Sequence, residues 1–400
     1  MFIENNIRDG IIRYAGGVPK YANSCLRPIL RYTAVLLRGP LPAAKAFEYH
    51  LLAANKHDLD MTATSSSHRF CVAPMLDWTD RHERYFLRLL SQHARLYTEM
   101  VTTGALLHGD VPRHLDYHPL EHPVALQLGG SDPEDLARCA VMAENYGYAE
   151  VNLNIGCPSD RVQSGRFGAC LMADPVLVAQ GLAAIKARVG IPATIKCRIG
   201  IDEHDSDEFL FNFVDTIAQA GCETFIIHAR IARLQGLSPK QNRDVPPLNY
   251  PRVLRLKERF PHLQIIINGG IKTLQDAQHL LDTLDGVMVG REVYQNPWIL
   301  NDVDELFFGA AASQRDRFDV IKAFIPYVQE QLLAGVPLQH MTRHILGLFY
   351  AVPGGKAFRR HLSENAFKKG SGVAVLEDAV ALVAGQNALS QGDALTVSFD

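Results

Sequence analysis

The amino-acid sequence predicts an α/β protein, a (β/α)8 TIM barrel followed by a small C-terminal helical bundle. Three observations lead to this prediction. Short apolar segments alternate with helical patterns from residue 70 onward, eight such segments fall between residues 70 and 291, and only helical patterns follow residue 315. Strands that alternate with helices form parallel sheets, and eight repeats match this barrel in count and length.

The eight predicted strands are short, rich in β-branched residues, and end in polar or glycine-containing turns. They cover residues 70–74, 95–100, 123–130, 149–157, 193–200, 224–230, 264–270 and 286–291. Helical patterns lie between them, such as 132–147, 175–190 and 274–286, and Asp132 followed by Pro133 fits a helix N-cap. A doubly wound sheet is the alternative, but no GxGxxG turn follows the first strand.

Composition indicates an ordinary globular chain with more than one domain. The 400 residues are 47% hydrophobic and 21% charged, and the formal net charge is −3. A polyanionic partner would therefore have to meet a local basic face. Seven scattered cysteines indicate reduced thiols, and no apolar stretch reaches the roughly 20 residues that span a bilayer. We expect a cytoplasmic monomer without membrane contact.

The chain divides into four predicted parts. Residues 1–67 lack the strand–helix rhythm and end in a Ser/Thr-rich linker, which indicates a poorly ordered extension or a mis-assigned start with Met61 as the true first residue. The barrel is expected over 68–310, a helical domain over 315–390 and a tail over 391–400.

Polar side chains recur where the predicted strands end. In this barrel the functional groups lie at the carboxyl ends of the strands. Any one of them could be structural, but together they exceed what a purely structural barrel needs. The residues are Asn152, Asn154, Cys157, Lys196, Arg198, His228, Arg230, Asn268 and Arg291.

The last two strands end in a pattern that suits a phosphate. Gly269 and Gly270 follow strand seven, and Arg291 follows strand eight. Glycine lets the backbone approach an anion, and arginine adds a charged donor. Flavin mononucleotide (FMN) and a sugar phosphate both fit this pattern.

The first and third strands favour the flavin. The apolar loop "APMLDWTD" at 73–80 can lie flat against a ring, while Gln127 and Lys196 can hydrogen-bond its polar edge. A sugar-phosphate enzyme would want more acidic residues or metal ligands. No HExxH, DxD or clustered His/Cys spacing occurs, so a metal site is not predicted.

Longer motifs in the same order resemble those of the tRNA-dihydrouridine synthase family. They include "APMLDWTDRHERYF", "VNLNIGCPSDRVQSGRFGACLM", "FIIHARIARLQGLSPKQNRDVPPLNY" and "DGVMVGREVYQNPW". The resemblance covers about residues 68–385. The motifs "MTRHILGLF" and "LSENAF" direct it toward the A subfamily.

This resemblance implies an activity and a set of residue roles. The family reduces the C5=C6 bond of tRNA uridines with FMN, which NADPH reduces, and the A subfamily acts at positions 20 and 20a of the D loop. Cys157 matches the family's general acid. The positions that match the flavin-ring residues are Pro74, Met75, Leu76, Gln127, Lys196 and His228. Those that match the holders of its phosphate are Asn268, Gly269, Gly270, Gly290 and Arg291. The positions that match tRNA contacts are Asn154, Lys240, Arg243, Lys356 and Arg359.

A thiol suits the implied chemistry. Hydride addition at C6 of uracil leaves negative charge on C5 and the C4 carbonyl oxygen, so an acid must protonate C5. An unperturbed thiol, with a pKa of about 8.5, is protonated at neutral pH and can still release its proton. No Lys or Arg lies within three residues of Cys157, which agrees with a resting thiol. Cys170, among small apolar neighbours, is interpreted as a packing residue.

The C-terminal segment is locally basic. Residues 354–370 interleave Lys356, Arg359 and Arg360 with Phe358 and Phe367, and the three cations share one face at helical spacing. Helical patterns cover 318–333, 340–350, 356–367 and 373–385. Two alternatives stay open. An FMN barrel acting on a free pyrimidine, like dihydroorotate dehydrogenase, would not need this basic segment, and a tRNA-binding module without turnover would lack the acid or the phosphate site.

Overall fold

The computed structural model describes residues 68–395, without the side chains of Arg161 and of 387–395. The expectation for residues 1–67, and that for the last five residues of the predicted tail, lie outside this range. Residues 68–395 belong to one compact unit, so the barrel and the helices that follow it are described together.

Eight parallel strands form the predicted barrel. They are β1 Phe70–Val72, β2 Leu96–Thr102, β3 Val124–Gly129, β4 Glu150–Ile155, β5 Ala193–Arg198, β6 Thr224–His228, β7 Gln264–Asn268 and β8 Gly286–Val289. Each strand pairs with its neighbour in sequence from β2 to β8, and β8 pairs with β1. The seam between β1 and β2 is closed at Arg95, whose N–H donates to the Phe70 carbonyl and whose carbonyl accepts from Val72. The predicted eight-stranded barrel is confirmed.

Helices surround the barrel and continue beyond it. They are α1 Arg81–Leu90, α2 Thr103–His108, α3 Val111–Leu115, α4 Pro133–Asn145, α5 Asp160–Ser164, α6 Pro175–Lys186, α7 Asp207–Gln219, α8 Tyr250–Arg259, α9 Leu274–Leu280, α10 Arg291–Gln295, α11 Val303–Phe308, α12 Arg317–Leu333, α13 Leu338–Thr342, α14 Gly355–Asn365 and α15 Val373–Leu395. The predicted N-cap is confirmed, because the Asp132 side chain accepts from the Asp135 N–H. Within the described residues, none of these helices has the length and apolarity needed to cross a bilayer.

Side chains alternate between two cores. Along β4, Val151, Leu153 and Ile155 pack outward against the helices, so the intervening positions point into the barrel. The interior has a small apolar cluster of its own, made of Cys71, Ala73, Tyr97, Ala125, Ile226, Ile266 and Met288. The remaining interior positions on β3, β4 and β5 are polar, which places hydrogen-bonding groups inside the barrel.

The C-terminal segment differs from the predicted pattern in two places. The pattern at 340–350 gives a helix only over Leu338–Thr342, followed by turns. Within these turns Gly347 packs against the Gln295 carbonyl, where an added Cβ would collide, and Ala351 adopts a left-handed φ of 57°. At the other end, α15 continues to Leu395, into the predicted tail.

Asp80 joins the C-terminal helices to the mouth of the barrel. One carboxylate oxygen caps α1 by accepting from the N–H groups of His82 (2.9 Å) and Glu83 (3.0 Å). The other accepts from Arg343 (2.6 Å) and lies 3.0 Å from His344 Nε2. Burial raises the pKa of Asp80, but the interactions with His344 outweigh it and keep the carboxylate charged. The helical segment is therefore held by ion pairs at this mouth.

Candidate active site

The carboxyl ends of β4 to β8 bring most of the predicted site residues to one mouth. Cys157 lies just past β4, Lys196 lies near the end of β5, and His228 and Asn268 end β6 and β7. Adjacent strands pair Asn154 with Lys196, and His228 with Asn268. The sequence prediction that these residues share a site therefore agrees with the register of the sheet.

The backbone around Cys157 is held by one amide side chain. The N–H groups of Gly156 and Cys157 both donate to Asn154 Oδ1, at 3.1 and 2.9 Å. The Cys157 carbonyl accepts from the Ala169 N–H at 2.9 Å. The half-buried thiol donates to Ser159 Oγ at 3.5 Å. The thiol is thus presented on a loop whose backbone is fixed on both sides.

Positive charge surrounds this thiol in space, although none lies near it in sequence. Lys196, Arg198 and Arg243 each interact electrostatically with Cys157. The first two come from β5, beside the Cys157 loop, and Arg243 comes from the loop after β6. The sequence window of three residues misses all of them because parallel pairing joins distant segments.

Lys196 faces the barrel interior. Its ammonium group donates to Asn268 Oδ1 at 3.2 Å, and Asn268 Nδ2 donates to the Met288 carbonyl at 2.8 Å. Burial, followed by the charge of Arg198, lowers the pKa of Lys196 to about 8. Asn268, which was predicted to hold a phosphate, bonds Lys196 and the Met288 carbonyl inside the barrel through its side chain.

His228 is a neutral donor or acceptor at this mouth. Burial, and then the charges of Arg198 and Lys196, bring its pKa well below the ordinary value. The ring packs against Gly269, where an added Cβ would come within 2.6 Å of His228 Cδ2. A side chain at position 269 would therefore displace the imidazole.

We call the turn at Gly269 and Gly270, where a phosphate is predicted to bind, the cradle. Gly269 and Gly270 have φ values of 114° and 75°, which only glycine adopts readily. A Cβ on Gly290 would lie 3.3 Å from Ala73 and 3.4 Å from the Met75 sulfur, so the β1 and β8 loops are in close contact. The backbone can approach a bound anion closely here.

The apolar loop after β1 fits a planar group beside the cradle. Thr79 Oγ1 bonds both the N–H (2.9 Å) and the carbonyl (3.1 Å) of Met75, which makes a tight turn after Pro74. The Leu76 side chain is 65% exposed. A large aliphatic side chain left in water at this mouth suits an apolar partner, as a flavin ring would be. The predicted FMN residues are thus chemically suited to that cofactor.

Arg291 is held by a carboxylate that the sequence did not single out. Its guanidinium donates to Asp244 Oδ1 at 2.7 Å, and the ion pair lowers the pKa of Asp244. Asp244 directly follows Arg243, so this contact connects the predicted phosphate ligand with the predicted tRNA-binding loop. No local sequence signal marks Asp244, because its partner lies on another βα loop.

Arg198 was noted at a strand end without a role. Its buried guanidinium donates to the carbonyls of Gly156 (3.2 Å), Ile231 (3.1 Å) and Asn242 (2.9 Å). These carbonyls belong to the Cys157 loop and to the loop that carries Arg243. The sequence did contain a signal for this location. Arg198 lies two residues after Lys196 on the same strand, so both side chains point into the barrel.

The predicted tRNA contacts lie in three places. Asn154 lies on β4, where it holds the Cys157 loop. Lys240 and Arg243 are exposed; Lys240 precedes a short 3₁₀ helix, Gln241–Arg243, and Arg243 ends it, close enough to interact with Cys157. Lys356 is exposed and Arg359 is half-buried, both on α14 of the C-terminal segment.

The second cysteine differs from its prediction. Cys170 is half-buried, not a core residue, and its thiol donates to the Phe167 carbonyl at 3.1 Å. Its short 3₁₀ helix, Gly168–Ala173, leaves it at the edge of the packed residues Ala169 and Leu171.

The dihydrouridine synthase (Dus) family profile matches residues 71–384. The chain belongs to this family. It is 60% identical to the tRNA-dihydrouridine(20/20a) synthase of Salmonella typhimurium over 319 residues, which cover 80% of this chain and 96% of that protein. The enzymes of the same name from Vibrio parahaemolyticus (58% over 316 residues, 79% and 97%) and Shewanella oneidensis (60% over 308 residues, 77% and 92%) are similar. The family resemblance in the sequence motifs is thereby confirmed.

Proposed function

We propose that this dihydrouridine synthase reduces the C5=C6 bond of uridines 20 and 20a in the tRNA D loop, with FMN in the barrel mouth and NADPH as the electron source. We place it in the cytoplasm as a monomer. The main observation in support of this proposal is that the Cys157 thiol, the Lys196 ammonium group and the Gly269–Gly270 turn lie at the same mouth of the barrel. Relatives that match nearly over their full length carry the corresponding name.

The residues at this mouth can perform the protein's part of the reaction. FMN, when bound, supplies the hydride for C6 of the uracil ring. The Cys157 Sγ–H then gives its proton to C5. This transfer leaves a thiolate, which the charges of Lys196, Arg198 and Arg243 stabilise. These three cations, whose closeness to Cys157 was not predicted from the sequence, would therefore stabilise the deprotonated state of the acid.

FMN would be held by groups that the fold keeps in place. Arg291 and the N–H groups of the Gly269–Gly270 turn suit the phosphate. Gln127, Lys196 and His228 would hydrogen-bond the polar edge of the ring, and Leu76 would cover a face of it. The neutral state of His228 fits a contact with an uncharged ring atom.

The basic residues outside the mouth would hold the tRNA. A uridine in a folded tRNA must leave its stack to reach the thiol, which costs a few kcal/mol. Phosphate contacts at Arg243 near the mouth, and at Lys356 and Arg359 on α14, would offset that cost. The Asp80 ion pairs fix these helices to the barrel mouth, so both groups can act on one tRNA.

Exchanging Lys356 and Arg359 for glutamate should raise the KM for tRNA at least tenfold. The slope of log affinity against log salt should fall by about 2, because two phosphate contacts are lost. Reduction of bound FMN by NADPH should not change. Steady-state kinetics and filter binding at several salt concentrations check this, with Arg138→Glu, a charge reversal at an exposed position of α4, as the control. A KM equal to that of the control would contradict the tRNA role.

Asp244→Asn should change two affinities in opposite directions. Removing the carboxylate frees Arg291 for the phosphate and removes a repelling charge, so FMN should bind a few-fold more tightly to the flavin-free protein. The Arg243 loop loses its tether, so tRNA should bind several-fold more weakly. Flavin fluorescence quenching and filter binding measure the two constants. Changes in the same direction would refute the bridging role of Asp244.

The proposed function is tested with unmodified tRNA transcripts. The purified protein should be yellow, oxidise NADPH slowly, and form dihydrouridine at positions 20 and 20a, located by mass spectrometry of nuclease fragments. Turnover of free uracil or dihydroorotate instead would favour the free-pyrimidine alternative. Tight tRNA binding without any dihydrouridine would favour a binding module.

A further inference from the structure

A continuous line of hydrogen bonds crosses the barrel interior from Glu150, at the start of β4, toward its mouth. Thr194 Oγ1 donates to Glu150 Oε1 at 2.5 Å, and Asn152 Nδ2 donates to Thr194 Oγ1 at 2.8 Å. Gln127 Nε2 donates to Asn152 Oδ1 at 2.8 Å. All four side chains are buried.

The line continues to the Cys157 loop. Asn154 Nδ2 donates to Gln127 Oε1 at 2.8 Å, and Asn154 Oδ1 accepts from the N–H groups of Gly156 and Cys157. We call the four side chains between the two ends the amide relay. Its members are Thr194, Asn152, Gln127 and Asn154.

The two ends of the relay fix its direction. A carboxylate can only accept hydrogen bonds, and a backbone N–H can only donate. Each amide between them has two orientations, but turning one would place two NH₂ groups or two carbonyl oxygens face to face. The orientations are therefore coupled along the whole line.

Glu150 is a charged acceptor at neutral pH. His68 Nε2 lies 2.7 Å and Arg95 Nη1 3.1 Å from its Oε2, and Tyr97 donates to its Oε1 at 3.0 Å. Burial raises the pKa of Glu150, but His68 and Arg95 outweigh that effect and bring the pKa to about 2. The carboxylate thus stays an acceptor on the side that faces the relay.

We propose that Glu150 is a positioning residue that acts through the amide relay to set the loop carrying the Cys157 thiol. The claim that Glu150 assists proton transfer rests on the proposed function. The claim that Glu150 positions the loop does not. The placement matters because the acid must meet C5 of the substrate within hydrogen-bond reach.

Glu150→Gln reverses the relay. The new carbonyl oxygen faces the Arg95 guanidinium, which can only donate, so the new NH₂ group faces Thr194. The Thr194 hydroxyl then accepts from this NH₂ group, so we expect its proton to be donated to Asn152 and each amide to turn over. Asn154 ends with its NH₂ group toward the N–H of Cys157, so the loop loses the hydrogen bonds that hold it.

A double-mutant cycle of Glu150→Gln and Thr194→Val tests this mechanism. Valine keeps the shape of threonine and cannot transmit a reversal. The probe is iodoacetamide, and peptide mass spectrometry measures the rate at which it alkylates Cys157. Alkylation of Cys170 in the same sample is the internal reference. We expect Glu150→Gln alone to speed alkylation of Cys157 at least threefold relative to Cys170. When Thr194→Val is already present, adding Glu150→Gln should change the rate of Cys157 alkylation less than 1.5-fold.

Kinetics give the second readout. In Glu150→Gln, reoxidation of reduced enzyme by a tRNA transcript should slow about tenfold. Reduction by NADPH should slow less, because it involves the turned Gln127 amide but not the Cys157 thiol. Tyr97→Phe removes a donor to the same carboxylate outside the relay and should leave both rates unchanged. Thr194→Ser keeps the hydroxyl and should behave as the wild type.

Each outcome decides the proposal. Additive effects in the double variant, or equal acceleration at Cys170, would overturn it. If Glu150→Gln does not fold, Asn152→Leu takes its place. This change leaves Gln127 Nε2 without its acceptor, so Gln127 and Asn154 lose their fixed orientation and alkylation of Cys157 should rise. An unchanged alkylation rate in that variant also overturns the proposal. Alkylation needs neither flavin nor tRNA. The wild type could fail to form dihydrouridine while the double-mutant cycle is still non-additive. That result would refute the proposed function and leave the positioning role of Glu150 intact.

Discussion

Replacing Cys157 with alanine is expected to reduce dihydrouridine formation at least about 100-fold while the protein keeps its flavin. A general acid contributes typically 10² to 10⁴ in rate, and no other thiol is held at this mouth by the described residues. The side chain has no contact with the Gly269–Gly270 cradle, so FMN content should not change. Single-turnover assays with a tRNA transcript measure the loss.

Cys170→Ala is the matched control for this variant. Its thiol is also half-buried, but it bonds the Phe167 carbonyl and faces none of the three cations around Cys157. Dihydrouridine formation should stay within about twofold of the wild type, a normal spread for a substitution outside a catalytic contact. Full activity of Cys157→Ala, or an equal loss in both variants, would remove Cys157 from its role.

Arg198→Met is expected to give the largest loss of stability of any single change at the mouth. The guanidinium serves three buried carbonyls on two loops, and the variant leaves them without donors. We expect the free energy of unfolding to fall by about 3 kcal/mol, together with a loss of dihydrouridine formation as the loops separate. Urea unfolding followed by circular dichroism measures the first effect.

Two variants control for the loss of charge and of a long side chain. Arg198→Lys keeps the charge, but a single ammonium group cannot reach three carbonyls, so an intermediate stability is expected. Arg188→Met removes an exposed arginine that pairs with Glu134 and should cost less than about 1 kcal/mol. If Arg198→Met were as stable as Arg188→Met, the guanidinium would not be holding the loops.

The barrel could be predicted because its signals are local. Each strand reads as a short β-branched segment, and each is followed by a turn and a helical pattern, so the order of elements follows from the chain alone. Cys157 was found for the same reason, since it lies in a turn directly after a strand. Glycine at 269 and 270 marked backbone conformations that other residues avoid.

The contacts across strands could not be predicted in this way. Lys196 and Arg243 approach Cys157 only after the barrel closes, and the window around Cys157 contains neither. The side-chain partner of Asn268 was not predicted for a related reason: its position indicated a phosphate site, and its bond to Lys196 forms across the barrel. The helix predicted at 340–350 ends at Thr342, and Gly347 in the turns that follow packs against Gln295, which lies in another element.

A graft of C-terminal helices from another protein onto this barrel would have to carry a histidine and an arginine in register with Asp80. Otherwise a charged carboxylate would lose its counter-charges, while its other oxygen still had to cap α1. The two parts are thus not interchangeable modules. A chimera should be joined so that residues 78–82 and 343–344 come from the same parent.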